Sequence, residues 1–350
     1  MQKQGVFTER IGGKSEPLFL DKNENPFRLP PSLREEIRQL VSTVDLNRYP
    51  DPKAEKVRRA LSDLTGVPHS NLIVGNGGDE ILSMVFTAFV KKGSKILTLS
   101  PCFSQYEELC MRHDANWLRF PLEIGENRVT FDESLFEETI ARQTPDVVLL
   151  DTPNNPTGKS LPNDFLARFA RNFPGVIVVD EAYGEFAPQT FLETFKGSEF
   201  PKGLCILKTL SKAWGMAGLR FGYAACSEWV WKKLESVRDI YNVGLLSQEI
   251  AAIVLQYREW MESRVLSIRY MRDEFIRALN RVPGWRAYES ASNFALVRTG
   301  LPGALLLEGL AGSGIYVKPV ELAEPGTWIR VTIGKEEEMG RFLDFAQKRL

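Results

Sequence analysis

Apolar residues in this chain gather into short, almost continuous runs, separated by longer stretches in which they recur every three or four positions. The runs at 72–74, 95–99, 147–150, 176–179, 204–207 and 221–224 predict strands. Several are apolar at every position, as expected where helices cover both faces of a sheet. Stretches between them, such as 79–89 and 164–171, carry the helical period. The alternation predicts an α/β layer structure with a mainly parallel sheet.

The pattern then changes twice. From 228 to about 279 it reads as long helices without a strong strand signal. It returns as strand, helix and two strands at 293–297, 303–311, 316–318 and 328–333. We expect an amino-terminal arm at 1–30, proline-rich near Pro26, Pro30 and Pro31. A large domain at 31–245 and linker helices with a smaller α+β domain at 246–350 should follow.

Composition narrows the function. With 350 residues, 43% of them hydrophobic, the chain can bury a core for two domains. Its 44 basic and 45 acidic residues form no long single-sign block, which argues against a nucleic-acid or membrane partner held by charge. Residues 1–21 lack the apolar core of a signal peptide, and the apolar run at 81–90 is too short to span a bilayer. Four cysteines, Cys102, Cys110, Cys205 and Cys226, make no CxxC pair, so reduced thiols in a cytoplasmic protein are expected. With His69 and His113 as the only histidines, a His-rich metal site or a serine-protease triad has no material, and no metal is expected.

Four segments carry candidate chemistry. Thr209-Leu-Ser-Lys-Ala-Trp-Gly-Met-Ala-Gly-Leu-Arg-Phe-Gly follows a strand and sets two hydroxyls, a lysine and an arginine around a glycine-containing turn. Most lysines are solvated charges, but the apolar stretch between Lys212 and Arg220 favours a neutral, nucleophilic amine. Thr209, Ser211 and Arg220 supply donors for a phosphate. A Schiff-base lysine beside a phosphate cup is what pyridoxal phosphate requires. Val176-Ile-Val-Val-Asp-Glu-Ala-Tyr ends a strand on Asp180, at the sheet edge where ligands of open α/β sheets bind. Alone that aspartate fits a metal ligand or a cap; beside such a lysine it suits a protonated pyridine nitrogen. Asp151-Thr-Pro-Asn-Asn-Pro-Thr-Gly reads as a rigid turn, or as one that aims Asn155 at a ring oxygen. Gly75-Asn-Gly-Gly-Asp-Glu leads from a strand into a helix whose free N–H groups suit a phosphate, without the third glycine of a dinucleotide fingerprint.

In this order the four segments resemble the class I/II aminotransferases of fold type I. Leu20-Asp-Lys-Asn-Glu-Asn-Pro-Phe and Asn47-Arg-Tyr-Pro-Asp are similar to the amino-terminal motifs of the histidinol-phosphate branch. The likeness runs from about Leu20 to the carboxyl end, through Ser292-Asn-Phe and Trp328-Ile-Arg-Val-Thr-Ile-Gly. It implies a large domain built on a mainly parallel seven-stranded sheet between helices, a smaller α+β carboxyl-terminal domain, and pyridoxal 5'-phosphate as cofactor. Lys212 would anchor the cofactor and then move the proton. Asp180 would pair with the pyridine nitrogen, Asn155 and Tyr183 would bond the ring hydroxyl oxygen, and Phe103 would stack on the ring. Thr209, Ser211, Arg220 and the N–H groups of Gly78 and Asp79 would hold the phosphate. Tyr49 would reach the cofactor of a neighbouring subunit, so a homodimer is implied, and Arg330 would take the carboxylate of glutamate or 2-oxoglutarate.

Two features depart from that branch. Gly314-Ile-Tyr-Val-Lys318 has lysine where arginine is common, and lysine cannot copy a two-pronged contact, although Lys318 stands where a substrate phosphate would be met. The arm also lacks the usual Tyr-Xaa-Pro-Gly stretch. The implied reaction is amino exchange between histidinol phosphate and 2-oxoglutarate. An aromatic amino-acid aminotransferase and a threonine-phosphate decarboxylase remain the rival readings. A cofactor-binding regulator would need a fused DNA-binding domain, for which about twenty residues ahead of the first motif leave no room.

Overall fold

The computed structural model describes residues 16–348; the arm's first fifteen residues lie outside the described range. Seven strands form one sheet in the order Leu72–Gly75, Gly222–Cys226, Leu204–Thr209, Val176–Asp180, Val147–Asp151, Lys95–Ser100 and Asn116–Pro121. Gly222–Cys226 runs antiparallel to both neighbours and the other pairings are parallel. Along the central strands successive residues alternate between two cores. Val148 and Leu150 join the cluster on one face, whereas Val147 and Leu149 join the other. That two-sided burial is why these strands read as unbroken apolar runs.

The six runs found in the sequence are all strands of this sheet. The seventh, Asn116–Pro121, is an edge strand in which only Phe120 is buried, so it carries no apolar run to detect. Parallel order brings Ser100, Asp151, Asp180 and Thr209 to one edge, with Asp151 directly beside Asp180.

A second sheet has five strands in the order Leu18–Leu20, Ile315–Val320, Thr327–Thr332, Phe294–Thr299 and Trp285–Ala287. The arm is thus partly a strand: Leu18–Leu20 pairs parallel with Ile315–Val320 and buries Leu18 and Leu20. The helical region divides into Glu228–Glu235, Leu245–Val254 and Arg258–Leu279. His113 is the residue that ends Ser104–Arg112, and its ring packs on Phe86. The four cysteines are unpaired; Cys205 and Cys226 face each other across paired strands with sulfurs 3.6 Å apart. Among the described residues no helix is long and apolar enough to cross a membrane, and no group of His, Cys, Asp and Glu is arranged to hold a metal ion.

Candidate active site

At the shared strand edge lies a cavity of about 410 Å³, lined by Lys22, Glu24, Phe103, Tyr106, Asp151, Asn155, Asp180, Tyr183, Thr209, Ser211, Lys212, Arg220, Gly78 and Asp79 among others. Ten candidate site residues singled out in the sequence therefore meet here, and three others, Tyr49, Arg330 and Lys318, are not part of its wall.

One end is built for an anion. Thr209 ends its strand, and its hydroxyl lies 2.9 Å from Ser211 Oγ while accepting the Ser211 N–H at 3.1 Å. Helix Gly78–Phe89 begins at this point without a side-chain cap, which leaves its first N–H groups open. Two glycines make the approach possible. Gly77 holds φ +83°, and a Cβ there would come 2.5 Å from Arg220 Nη2. A Cβ on Gly222 would come 2.6 Å from the Gly77 carbonyl carbon. Arg220, itself at φ 52°, donates to Asp79 Oδ2 at 3.0 Å. Both partners are about half exposed, so the pair is weak and the guanidinium can turn to a stronger anion.

The middle of the cavity joins an amine to a buried carboxyl. Lys212 Nζ donates to the Lys22 carbonyl at 2.9 Å and stands 5.7 Å from the Tyr183 ring centre. Lys212 is half-buried, less enclosed than the apolar sequence around it suggested. Asp180 is buried, accepts the Tyr106 hydroxyl at 2.8 Å and the Ala182 N–H at 2.9 Å, and burial pushes its carboxyl above the usual range. On the neighbouring strand Asp151 accepts the Asn155 N–H at 2.8 Å and the Asn154 amide at 2.9 Å. Burial pushes the Asp151 carboxyl up to about 7. Tyr183 accepts from Asn23 Nδ2 at 2.9 Å, so its own proton is free to be donated.

The other end is assembled across the two sheets. Arg330 is buried, donates to Asn155 Oδ1 at 2.6 Å and to the Asp21 carbonyl at 2.5 Å, and its Nε has no partner. Asn155 thus already holds Arg330 with its oxygen, leaving the amide nitrogen to offer to a ligand. Asn23, at φ 55°, ties this end together. Its N–H donates to Thr332, its carbonyl accepts from Asn293, and its amide reaches Tyr183. Lys318 pairs with Arg330 across the sheet but is exposed, outside the cavity wall. Tyr49 is 80% exposed and stacks on Tyr241 at 4.6 Å, likewise away from this chain's own cavity.

Tyr106 was missed in the sequence. Only its spacing three residues after Phe103 hinted at it, and that spacing is what any core-facing helical residue shows.

The fold and site together define a fold-type I enzyme dependent on pyridoxal phosphate. A glycine-lined cradle with open N–H groups and hydroxyls fits a phosphate, Asp180 a protonated ring nitrogen, and the Lys212 amine an aldehyde. The profile described as "Aminotransferase class I and II" matches residues 15–345, and the chain belongs to that family. It is 32% identical to the histidinol-phosphate aminotransferase of Ruminiclostridium cellulolyticum over 328 residues, 93% of this chain and 90% of that one. With the enzyme of the same name from Thermoanaerobacter pseudethanolicus it shares 36% identity over 305 residues, 87% of this chain and 85% of the other. In fold it matches the histidinol-phosphate aminotransferase of Sinorhizobium meliloti solved with pyridoxal-5'-phosphate. There the TM-score is 0.86, at 23% identity, over 95% of this chain and 90% of that one.

Proposed function

We propose that this aminotransferase exchanges an amino group between histidinol phosphate and 2-oxoglutarate, giving imidazole-acetol phosphate and glutamate, as a homodimer in the cytoplasm. The carrying observation is Arg330, a buried guanidinium with an unused Nε beside the cavity, paired across the sheet with the exposed Lys318. Two cations at one end suit a reaction whose substrates bear a carboxylate in one half and a phosphate in the other. The names of the relatives at 32% and 36% identity support the same substrate.

When bound, the cofactor supplies an aldehyde that carries the amino group and a ring that withdraws electrons. The rest falls to the chain. Lys212 Nζ, within the cavity and tethered only by one carbonyl, takes and returns the substrate proton. Asp180 has no cation among its hydrogen-bond partners, and its buried charge is costly alone. A protonated ring nitrogen is the positive partner that offsets that cost and keeps the ring electron-withdrawing. Asn155 and Tyr183 present donors from one side, and Thr209, Ser211 and Arg220 hold the phosphate at the other. The exposed Tyr49–Tyr241 pair is where a second subunit would reach across.

Purified protein with glutamate should be offered imidazole-acetol phosphate, phenylpyruvate and threonine phosphate. Glutamate-dependent exchange with the highest kcat/KM on imidazole-acetol phosphate is expected. A higher kcat/KM on phenylpyruvate replaces the reading with an aromatic aminotransferase, and carbon dioxide release from threonine phosphate replaces it with a decarboxylase.

A further inference from the structure

We propose that Tyr106 is a positioning residue for the reaction: its hydroxyl fixes the Asp180 carboxylate against the cofactor nitrogen, and its ring braces Phe103 over the cofactor face. The proposal rests on Asp180 as the partner of that nitrogen and is independent of which keto acid is used.

Strand Lys95–Ser100 ends at the cavity, and helix Ser104–Arg112 starts four residues later with Phe103 as its cap. Phe103 lines the cavity, and Tyr106 follows on the first turn, fully buried. The two rings meet edge to face, with centroids 5.7 Å apart and planes at 85°, a favoured aromatic geometry. From the same ring the hydroxyl donates to Asp180 Oδ2 at 2.8 Å, while the Ala182 N–H takes Oδ1 at 2.9 Å. Each carboxylate oxygen therefore has one donor on a separate element, and the plane of the group cannot rotate without breaking a bond. One short helical turn thus sets two things about a bound ring at once: what covers its face and what meets its nitrogen.

The phenol is suited to a permanent donor. Burial, with the charges of Asp180 and Asp151 close by, pushes its ionisation well above the ordinary tyrosine range, so it keeps its proton throughout the working pH of an enzyme. Packing alone asks for nothing of the kind. A phenylalanine would fill the same space without burying a hydroxyl, which is costly to bury unless bonded.

Tyr106→Phe isolates the hydroxyl, because it keeps the ring, its burial and the contact with Phe103. The dissociation constant of pyridoxal phosphate, read from the visible absorption of bound cofactor after equilibrium dialysis, should rise about tenfold, the size expected for a hydrogen bond to a charged group. We expect kcat to fall by a similar factor and KM for glutamate to stay within about twofold. Tyr106→Leu should lose more thermal stability than Tyr106→Phe, because it also removes the ring that packs on Phe103. In an Asp180→Ala background, Tyr106→Phe should alter cofactor affinity by less than about twofold, since its acceptor is gone. Equal losses in both backgrounds, or native cofactor affinity in Tyr106→Phe, each overturn the proposal. Native affinity and kcat in Asp180→Ala alone overturn the reading of Asp180, and the proposal with it.

Discussion

The two ends of the cavity are built in different ways. The end we assign to the cofactor phosphate is made of backbone N–H groups, two short hydroxyls, close-packed glycines and the half-exposed Arg220, drawn from segments at the edge of one sheet. The end we assign to the substrate is made of side chains held across sheets: Arg330 bonds Asn155 and the Asp21 carbonyl, and Asn23 bonds Tyr183, Asn293 and Thr332. Apart from Arg220, the first has few rotatable parts and suits a group that stays. The second is a network of side chains, with an orphaned Nε on Arg330, and suits ligands that must alternate. Damage at the first end should be felt by every substrate alike, and damage at the second should discriminate among them.

Lys212 stands where the ends meet, and its loss should be the largest effect and indifferent to substrate. Lys212→Ala is expected to lower kcat on the order of 10⁴-fold or more for both half-reactions, the scale seen when a central reacting group is removed. Borohydride treatment of the native protein should leave a pyridoxyl group on Lys212, readable by peptide mass. An adduct on a different lysine would sink this assignment.

Next comes the cradle. An alanine at 222 must push into the backbone of Gly77 and Gly78, where a Cβ has only 2.6–2.7 Å. Overpacking of this kind costs about 1–3 kcal/mol, so Gly222→Ala should weaken pyridoxal phosphate by roughly ten- to a hundredfold. Added cofactor should restore the same fraction of activity on every substrate. A variant with a changed ratio of kcat/KM between substrates would mean that the phosphate end also reads the substrate.

The difference between the ends explains what could be read in advance. Runs such as 147–150 announce themselves because both faces of the strand are covered, and their ends mark the cavity. That the parts of the first end meet was legible from contiguous motifs, since they are turns and helix starts with local chemistry. Leu18–Leu20 and Trp285–Ala287 were not, because three residues are too few to show a period. The Asn23–Asn293 and Asn155–Arg330 bonds join residues 270 and 175 positions apart. Nothing local in either partner specifies the other. Arg330 entered only through the resemblance, and Tyr106 not at all, because its phenol looks like any core residue until Asp180 is seen against it.

The smallest effect, and the one that most sharpens the comparison, concerns Lys318. It is the register partner of Arg330, so the two side chains leave the same face of neighbouring antiparallel strands, yet Arg330 is buried and Lys318 is exposed. A carboxylate that pairs with Arg330 through two parallel bonds has no need of the lysine. A phosphate in the same place is larger and more highly charged, and a flexible ammonium one strand away can swing onto it without a fixed geometry. Because one charge-assisted hydrogen bond is worth about 1.5–3 kcal/mol, Lys318→Ala should lower kcat/KM for histidinol phosphate by roughly tenfold or somewhat more. Glutamate and phenylpyruvate should change by less than about twofold, and cofactor affinity should not move. Steady-state kinetics on the three substrates reads this directly. An equal fall on glutamate would show that Lys318 acts only by holding Arg330 in place, whereas no change on histidinol phosphate would leave its phosphate to another cation, such as Lys22 in the cavity wall.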